Sequence, residues 1–382
     1  MLKLKMDKKR WGAAALLAAV AVAGCKQADT GEQVGEIVLG HYASLTGNTA
    51  TFGTSADKGA QMAIAEANAA GGVLGKQIRL VTVDTASKTE QASTAVLRLI
   101  NQEKVLAVLG EVASSRSLAA APICQKAKVP MLSPASTNPD VTKTGDYIFR
   151  ACYTDIFQGQ VPARFAQEKM RAKTAAILFD VSQDYSKGLA KYFNEEFSKT
   201  GKIVKEVSYS SETDKDFRAQ LTQIKAANPD VIFIPGYYTE VGNIAVQARS
   251  LGINKPLLGG DGWESPKLVE IGKEAIEGQY YTTHYSPEDK NPRVQKFVTD
   301  FKKKYNGETP EGMAALGYDA ANMMIDAIKR AGGTDRQKIR DALAATKDFP
   351  GVTGNITIDE NRNAVKSAVI LQIKGGKPVY VP

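Results

Sequence analysis

The chain has 382 residues, 43% of them hydrophobic and 24% charged, which is enough for two domains with separate cores. Its formal charge of +8 is concentrated at the start: Lys3, Lys5, Lys8, Lys9 and Arg10 against Asp7 carry +4, leaving 44 basic and 40 acidic residues beyond residue 24. With both signs interspersed and no basic stripe carrying aromatics, the body is excluded as a nucleic-acid-binding surface.

In chain order, KLKMDKKR and WGAAALLAAVAVAG form the basic and apolar regions of a signal peptide over residues 1–24, too short to span a bilayer comfortably. Met1 and Met6 are equally plausible starts. The apolar run ends in VAGC at residues 22–25, which resembles a bacterial lipobox. That resemblance makes Cys25 the first mature residue, lipidated on its sulfur and amine and stably anchored by more than one acyl chain. Residues 25–35 are then the lipidated Cys and a polar tether. The protein is expected to be exported, in the periplasm or at the cell surface. Two cysteines remain in this oxidising setting, Cys124 and Cys152, with no CxxC. They read as buried free thiols, with a single disulfide as the alternative.

From residue 36 strand-like runs alternate with helical ones. The strand runs are EIVLGHYASL, QIRLVTVD, VLAVLG, VPMLS and YIFR, then TAAILFD, IVKEVSYS, DVIFIPG and KPLLGG. Between them, residues 57–68 place Ala60, Ala63, Ile64 and Ala67 on one stripe and stop at a glycine pair, as an amphipathic helix does. Further helices are predicted over 89–103, 115–127, 157–170, 187–199, 215–227, 239–251, 291–305, 313–331 and 335–345. Strands rich in Val, Ile and Leu alternating with helices predict an α/β fold with parallel sheets covered on both faces. The units are too many for one sheet, so two similar lobes are expected. After about residue 285 the pattern turns helical before two late β segments, GVTGNITID and SAVILQI, so this stretch is expected to return to the first lobe.

The residues offer no machinery for a reaction. His41 and His284 are isolated in sequence, and there is no HExxH and no GxSxG. GGVLGKQ at 71–77 follows a helix and lacks phosphate-loop spacing; GGDGWES at 259–265 follows a strand but is not GxGxxG. Small, hydroxyl, acidic and tyrosine residues nonetheless end strand after strand: SLTG at 44–47, ASS at 113–115, AST at 135–137, GYY at 236–238, GGDG at 259–262. Ser114 and Ser115 alone read as helix N-caps. The recurrence, at strand carboxyl ends and helix N-termini where open α/β sheets bind ligands, points to a rim of donors for a carboxylate with an acid opposite, a zwitterion site.

Over residues 36–382 the chain resembles the periplasmic Leu/Ile/Val-binding proteins, type I substrate-binding components of ABC importers. The resemblance rests on GHYASLTGNTATFG, KGAQMAIAEANAAGGVLGKQIRLV, SPASTNPDVT, FQGQ, DYSKGLA, DVIFIPGYYTEVGNIAVQAR and GYDAANMM in combination. It implies a periplasmic binding protein type I fold: two similar lobes, each a mainly parallel sheet flanked by helices, joined by three hinge crossovers. Residues 36–153 plus 286–361 would form lobe 1, and 154–285 plus 362–382 lobe 2. The resemblance also implies a monomer that binds a small amino acid, most naturally branched-chain, and delivers it to a permease and ATPase, with no catalysis, cofactor or metal. Carried over position by position, Ser114 matches the carboxylate-binding serine, and Ala135 and Thr137 the backbone-and-hydroxyl pair. Tyr185 and Tyr237 match two site tyrosines, the first in a loop one residue longer here. Asp261 matches the acid that receives the ligand ammonium, usually Glu. Phe52 and Met313 match side-chain pocket positions. The shorter Asp261 and the hydroxyl-free Phe52 leave another ligand open: an aromatic acid, an aromatic amino acid or a urea-like amide. A sensor subunit on the same fold is a further alternative.

Overall fold

The computed structural model describes residues 35–382; the leader, Cys25 and the tether as far as Val34 lie outside them. The first strands and helices follow the predicted alternation: β1 (Ile37–Ala43), α1 (Ala50–Ala69), β2 (Ile78–Asp84), α2 (Thr89–Asn101), β3 (Ala107–Leu109), α3 (Ser114–Ala127), β4 (Met131–Ser133), the single turn α4 (Asp140–Lys143) and β5 (Ile148–Arg150). The five strands form one parallel sheet in the order β2-β1-β3-β4-β5. Because successive strand residues point to opposite faces, Ala107, Leu109, Leu132 and Phe149 pack in one core and Val108, Met131 and Ile148 in another. Burial on both faces is why these strands are apolar up to their last residues, Ser133 in β4 and Arg150 in β5.

The chain then builds α5 (Asp155–Glu168), β6 (Thr174–Asp180), α6 (Asp184–Phe197), β7 (Lys202–Tyr209), α7 (Arg218–Ala227), β8 (Val231–Phe233), α8 (Tyr238–Ser250), β9 (Leu257–Gly259), a 3-10 turn at Asp261–Trp263, α9 (Pro266–Gly272) and β10 (Tyr280–Thr283). It returns through α10 (Pro292–Lys304), α11 (Gly312–Ala331) and α12 (Arg336–Ala344) to a small antiparallel sheet of β11 (Phe349–Gly351), β12 (Gly354–Ile358) and β13 (Ala364–Val365). Helix α11 lies along α1, where Gly59 and Gly317 let the backbones meet: a Cβ on Gly59 would stand 2.0 Å from the Ala314 carbonyl oxygen. The helix-rich stretch therefore packs back onto α1, beside the first sheet.

Last come β14 (Val369–Lys374) and β15 (Lys377–Val381), turned by Gly375 and Gly376 at φ 56° and 70°, the left-handed pair a two-residue hairpin needs. They join the second sheet, ordered β15-β14-β10-β9-β8-β6-β7, as an antiparallel edge on a parallel core. The chain thus passes between the lobes three times, at 151–154, 284–291 and 366–368. Cys124 and Cys152 are buried free thiols, each pushed up to about 12 by burial. Among the described residues no helix is long and apolar enough to cross a membrane.

Candidate functional site

The carboxyl ends of both sheets' strands face one another, and the loops that leave them are anchored before any ligand is considered. After β3, the buried Glu111 accepts from Ser44 Oγ at 2.6 Å, Thr85 Oγ1 at 3.0 Å and the Ala113 N–H at 2.8 Å, and pairs with Arg116 Nε at 2.9 Å. This ties the loops after β1, β2 and β3 together. After β4, the fully buried Arg150 donates to the carbonyls of Ser136 and Asn138 and to Asn363 Oδ1 at 2.7 Å. Arg150 thereby fixes the segment 135–138 that carries Ala135 and Thr137. In the second lobe the 3-10 turn bearing Asp261 is held by Trp263, whose Nε1 donates to the Ile234 carbonyl at 2.9 Å.

The residues singled out from the sequence come together at this rim. Ser114 and Ser115 begin α3 with no side-chain cap bond. Instead, Ser114 Oγ accepts from the Asn138 N–H at 3.2 Å and Ser115 Oγ accepts from the Asp184 N–H of the other lobe at 2.8 Å. The Thr137 carbonyl accepts from the Asp155 N–H at 2.8 Å. Tyr185 OH accepts from the Gly262 N–H at 3.0 Å, beside Asp261. Tyr185 and Tyr237 stack at 5.2 Å, and Phe52 meets Tyr237 and Tyr238 edge-on at 5.6 and 5.0 Å. Met313 and Ala135 share one buried apolar cluster with Phe52, Val112 and these tyrosines. Further bonds cross between lobes here: Thr51 Oγ1 to Ser265 Oγ at 2.8 Å, Thr239 Oγ1 to the Asn48 carbonyl at 2.9 Å, Asn138 Nδ2 to the Asp184 carbonyl at 2.8 Å and the Gly312 N–H to Glu264 Oε1 at 2.6 Å.

Buried polar atoms almost always find partners, yet several at this rim have none in the protein. They are Thr137 Oγ1, Tyr237 OH, Tyr153 OH, Gln158 Nε2, Asp261 Oδ1, His284 Nδ1 and both carboxylate oxygens of Asp155. A buried polar atom without a partner is costly, and a ligand bound at this rim would supply partners to such atoms. Asp155 is driven well above the usual carboxylate range by burial, with the Asp261 carboxylate adding to the effect. Asp261 Oδ2 lies 2.8 Å from His284 Nε2, and the His284 ring stacks on Tyr153 at 3.9 Å. Burial lowers the His284 pKa, against the pull of Asp261. His41, by contrast, pairs with Asp57 on Oδ1 at 2.8 Å, within lobe 1.

Sequence reasoning missed Tyr153, Asp155, Gln158 and His284. Asp155 is disguised as an ordinary acid in the first turn of α5. His284 follows the last residue of β10, so the rule that ligands sit beyond strand carboxyl ends, applied to YYTTH, finds it.

The profile of a family described as periplasmic binding protein matches residues 36–377. A leucine-, isoleucine-, valine-, threonine- and alanine-binding protein of Pseudomonas aeruginosa is 32% identical over 347 residues, 90% of this chain and 91% of that one. Two solved structures superpose with similar extent. A leucine binding protein, LivK, from Thermotoga maritima has a TM-score of 0.87 at 43% identity, covering 91% of this chain and 98% of that one. The branched-chain amino acid transporter substrate binding protein LivJ from Streptococcus pneumoniae, in complex with isoleucine, has a TM-score of 0.85 at 38% identity, covering 91% and 100%.

Proposed function

The chain belongs to the periplasmic binding protein family, a family of transport substrate-binding proteins and not of enzymes, and from that premise we propose that it captures a branched-chain amino acid between its lobes. On this reading the ligand carboxylate meets Ser114, the Thr137 hydroxyl and the backbone at Ala135. The ammonium meets Asp261, and the side chain lies against Phe52, Tyr185, Tyr237 and Met313. Asp155, whose carboxyl is pushed by burial well above the usual carboxylate range, adds a further hydrogen-bond partner.

The observation that carries the proposal is the set of unpaired buried atoms. Asp261 Oδ1 and the Tyr237 hydroxyl are without protein partners, the Asp155 carboxyl lies beside the Thr137 hydroxyl, and the stacked and edge-on rings of Tyr185, Tyr237 and Phe52 supply an aromatic wall. An aromatic acid without an ammonium would leave the acidic side unpaired. Ligand binding would favour the arrangement in which the lobes are bonded through Ser115, Thr51 and Asn138, the form offered to a permease and its ATPase. Lipidation at Cys25 would hold the protein at the membrane.

The test is a thermal-shift screen on protein beginning after Cys25, unfolded and refolded to remove carried ligand, against the amino acids, benzoates and short amides. A ligand at one hundred times its dissociation constant adds about 2.7 kcal/mol. Leu, Ile or Val is expected to give the largest shift and Asp261→Ala to abolish it. A response confined to ligands lacking an ammonium overturns the assignment.

A further inference from the structure

The acid expected to meet the ammonium is not alone: the second crossing between the lobes delivers His284 onto it. One oxygen of Asp261 lies 2.8 Å from His284 Nε2 and the other has no partner in the protein. The pair is sealed, with His284 and Asp261 side chains 0% and 4% exposed. We propose that His284 is the positioning residue of the ammonium subsite, turning the free oxygen of Asp261 toward the ligand, and that ligand capture expels a proton from its imidazole. This rests on the reading that Asp261 receives the ammonium.

The groups facing His284 come from three elements. Asp261, on the 3-10 turn, favours the imidazolium, while Lys366, on the third crossing, opposes it. Tyr153, on the first crossing, covers one ring face at 3.9 Å and is itself surrounded by Asp261, Glu264, Cys152 and Asp155. Only Asp261 makes the protonated ring tolerable in this buried place. A ligand ammonium on Asp261 Oδ1 offsets that same charge, and two cations then share one carboxylate with Lys366 nearby. The ring loses its proton to solvent and remains a neutral Nε2–H donor to Oδ2. By linkage, whatever lowers proton affinity at His284 on binding makes binding weaken as the pH falls through the range where the ligand-free ring titrates.

The buried Glu311 and Glu264 work in the other direction. Burial pushes Glu311 up to about 7 and Glu264 well above its ordinary value, so their protonation favours the lobe arrangement in which they are covered. A fall in affinity toward acid that disappears when His284 is replaced is therefore the signature of His284.

The experiment is calorimetric titration of L-leucine into refolded protein from pH 5 to pH 8, in buffers of different ionisation enthalpy, for the wild type, His284→Gln, His284→Asn and Asp261→Asn. Wild-type affinity is expected to fall toward acid by up to about tenfold per pH unit, the limit for one proton, with a proton released on binding. Both His284 variants should lose the acid weakening and the proton release. If either folded variant keeps the wild-type slope and proton count, the inference is overturned. If Asp261→Asn binds L-leucine as the wild type does, the underlying ammonium assignment fails instead.

Discussion

Replacing Arg150 with Met tests whether the carboxylate-binding segment is prefolded by a buried cation. The side chain is 0% exposed and donates to the Ser136 and Asn138 carbonyls and to Asn363 Oδ1. Burial lowers its pKa, with Cys152, Asp155 and Asp359 opposing the shift. Methionine fills much of the volume but leaves the Ser136 carbonyl without a donor, costing about 1–3 kcal/mol; the Asn138 carbonyl keeps the Val141 N–H and Asn363 Oδ1 keeps the Thr142 hydroxyl, so each of these loses about 1 kcal/mol. Relaxation of the 135–138 segment limits the total, and about 4 kcal/mol is expected, the range for removing one member of a buried charged network. For a cooperative unit spanning Gly35–Pro382, an unfolding entropy of about 2.1 cal/mol/K per residue converts this into a Tm lowered by about 5 °C. Calorimetry reads that shift. Because the segment presents Ala135 and Thr137, ligand affinity should fall with it. Asn363→Ala, which removes one of the three acceptors, should lose about 1 kcal/mol and leave the segment in place. An Arg150→Met protein that melts within a degree of wild type and binds L-leucine unchanged would refute the reasoning.

Three further outcomes follow from other contacts. Glu240, 4% exposed, is pushed up to about 7 by burial; the stability linked to its protonated form is complete below its ordinary pKa and is lost as pH rises through 7. Glu240→Gln should therefore match wild type near pH 4 and exceed it by up to about 3 kcal/mol at pH 8 in urea unfolding; lower stability at pH 8 contradicts this. Gly59→Ala places a methyl 2.0 Å from the Ala314 carbonyl oxygen. It should lower the urea midpoint despite a gain in helix propensity of about 1 kcal/mol, and an unchanged or raised midpoint shows that α1 and α11 separate freely. Ser115→Ala removes the acceptor for the Asp184 N–H across the lobes. About 1 kcal/mol is lost from the closed form alone, so the L-leucine Kd should rise roughly fivefold with the ligand-free Tm within a degree. An unchanged Kd means this bond does not hold the lobes together.

What was legible in the sequence is what depends on periodicity and on strand ends. Continuous apolar runs mark β3, β4 and β8 because those strands are buried on both faces. Small and hydroxyl residues mark the rim because they follow the strands directly. Helix α1 begins at Ala50, seven residues before the amphipathic stripe at 57–68. Its first turns, ATFGTSA, carry poor helix formers held by packing of Phe52, Ser55 and Ala56. The antiparallel edge of the second sheet was equally hidden, since a strand's direction is set by where the third crossing delivers it and not by its residues.

The electrostatic side of the site was the least legible, and for one reason. A hydroxyl or a free N–H is useful wherever it stands on the rim, so local sequence betrays it. A buried carboxylate is meaningful only through its neighbours, and those come from far along the chain. Asp261 takes its surroundings from His284, whose ring Tyr153 covers, and these two lie on different crossings between the lobes. Glu111 does so from Ser44, Thr85 and Arg116. A turn aspartate and an isolated histidine are each unremarkable in sequence. Brought within 2.8 Å in a sealed site, they form a couple whose charge depends on what occupies the remaining oxygen, and this makes pH the variable through which the site is best interrogated.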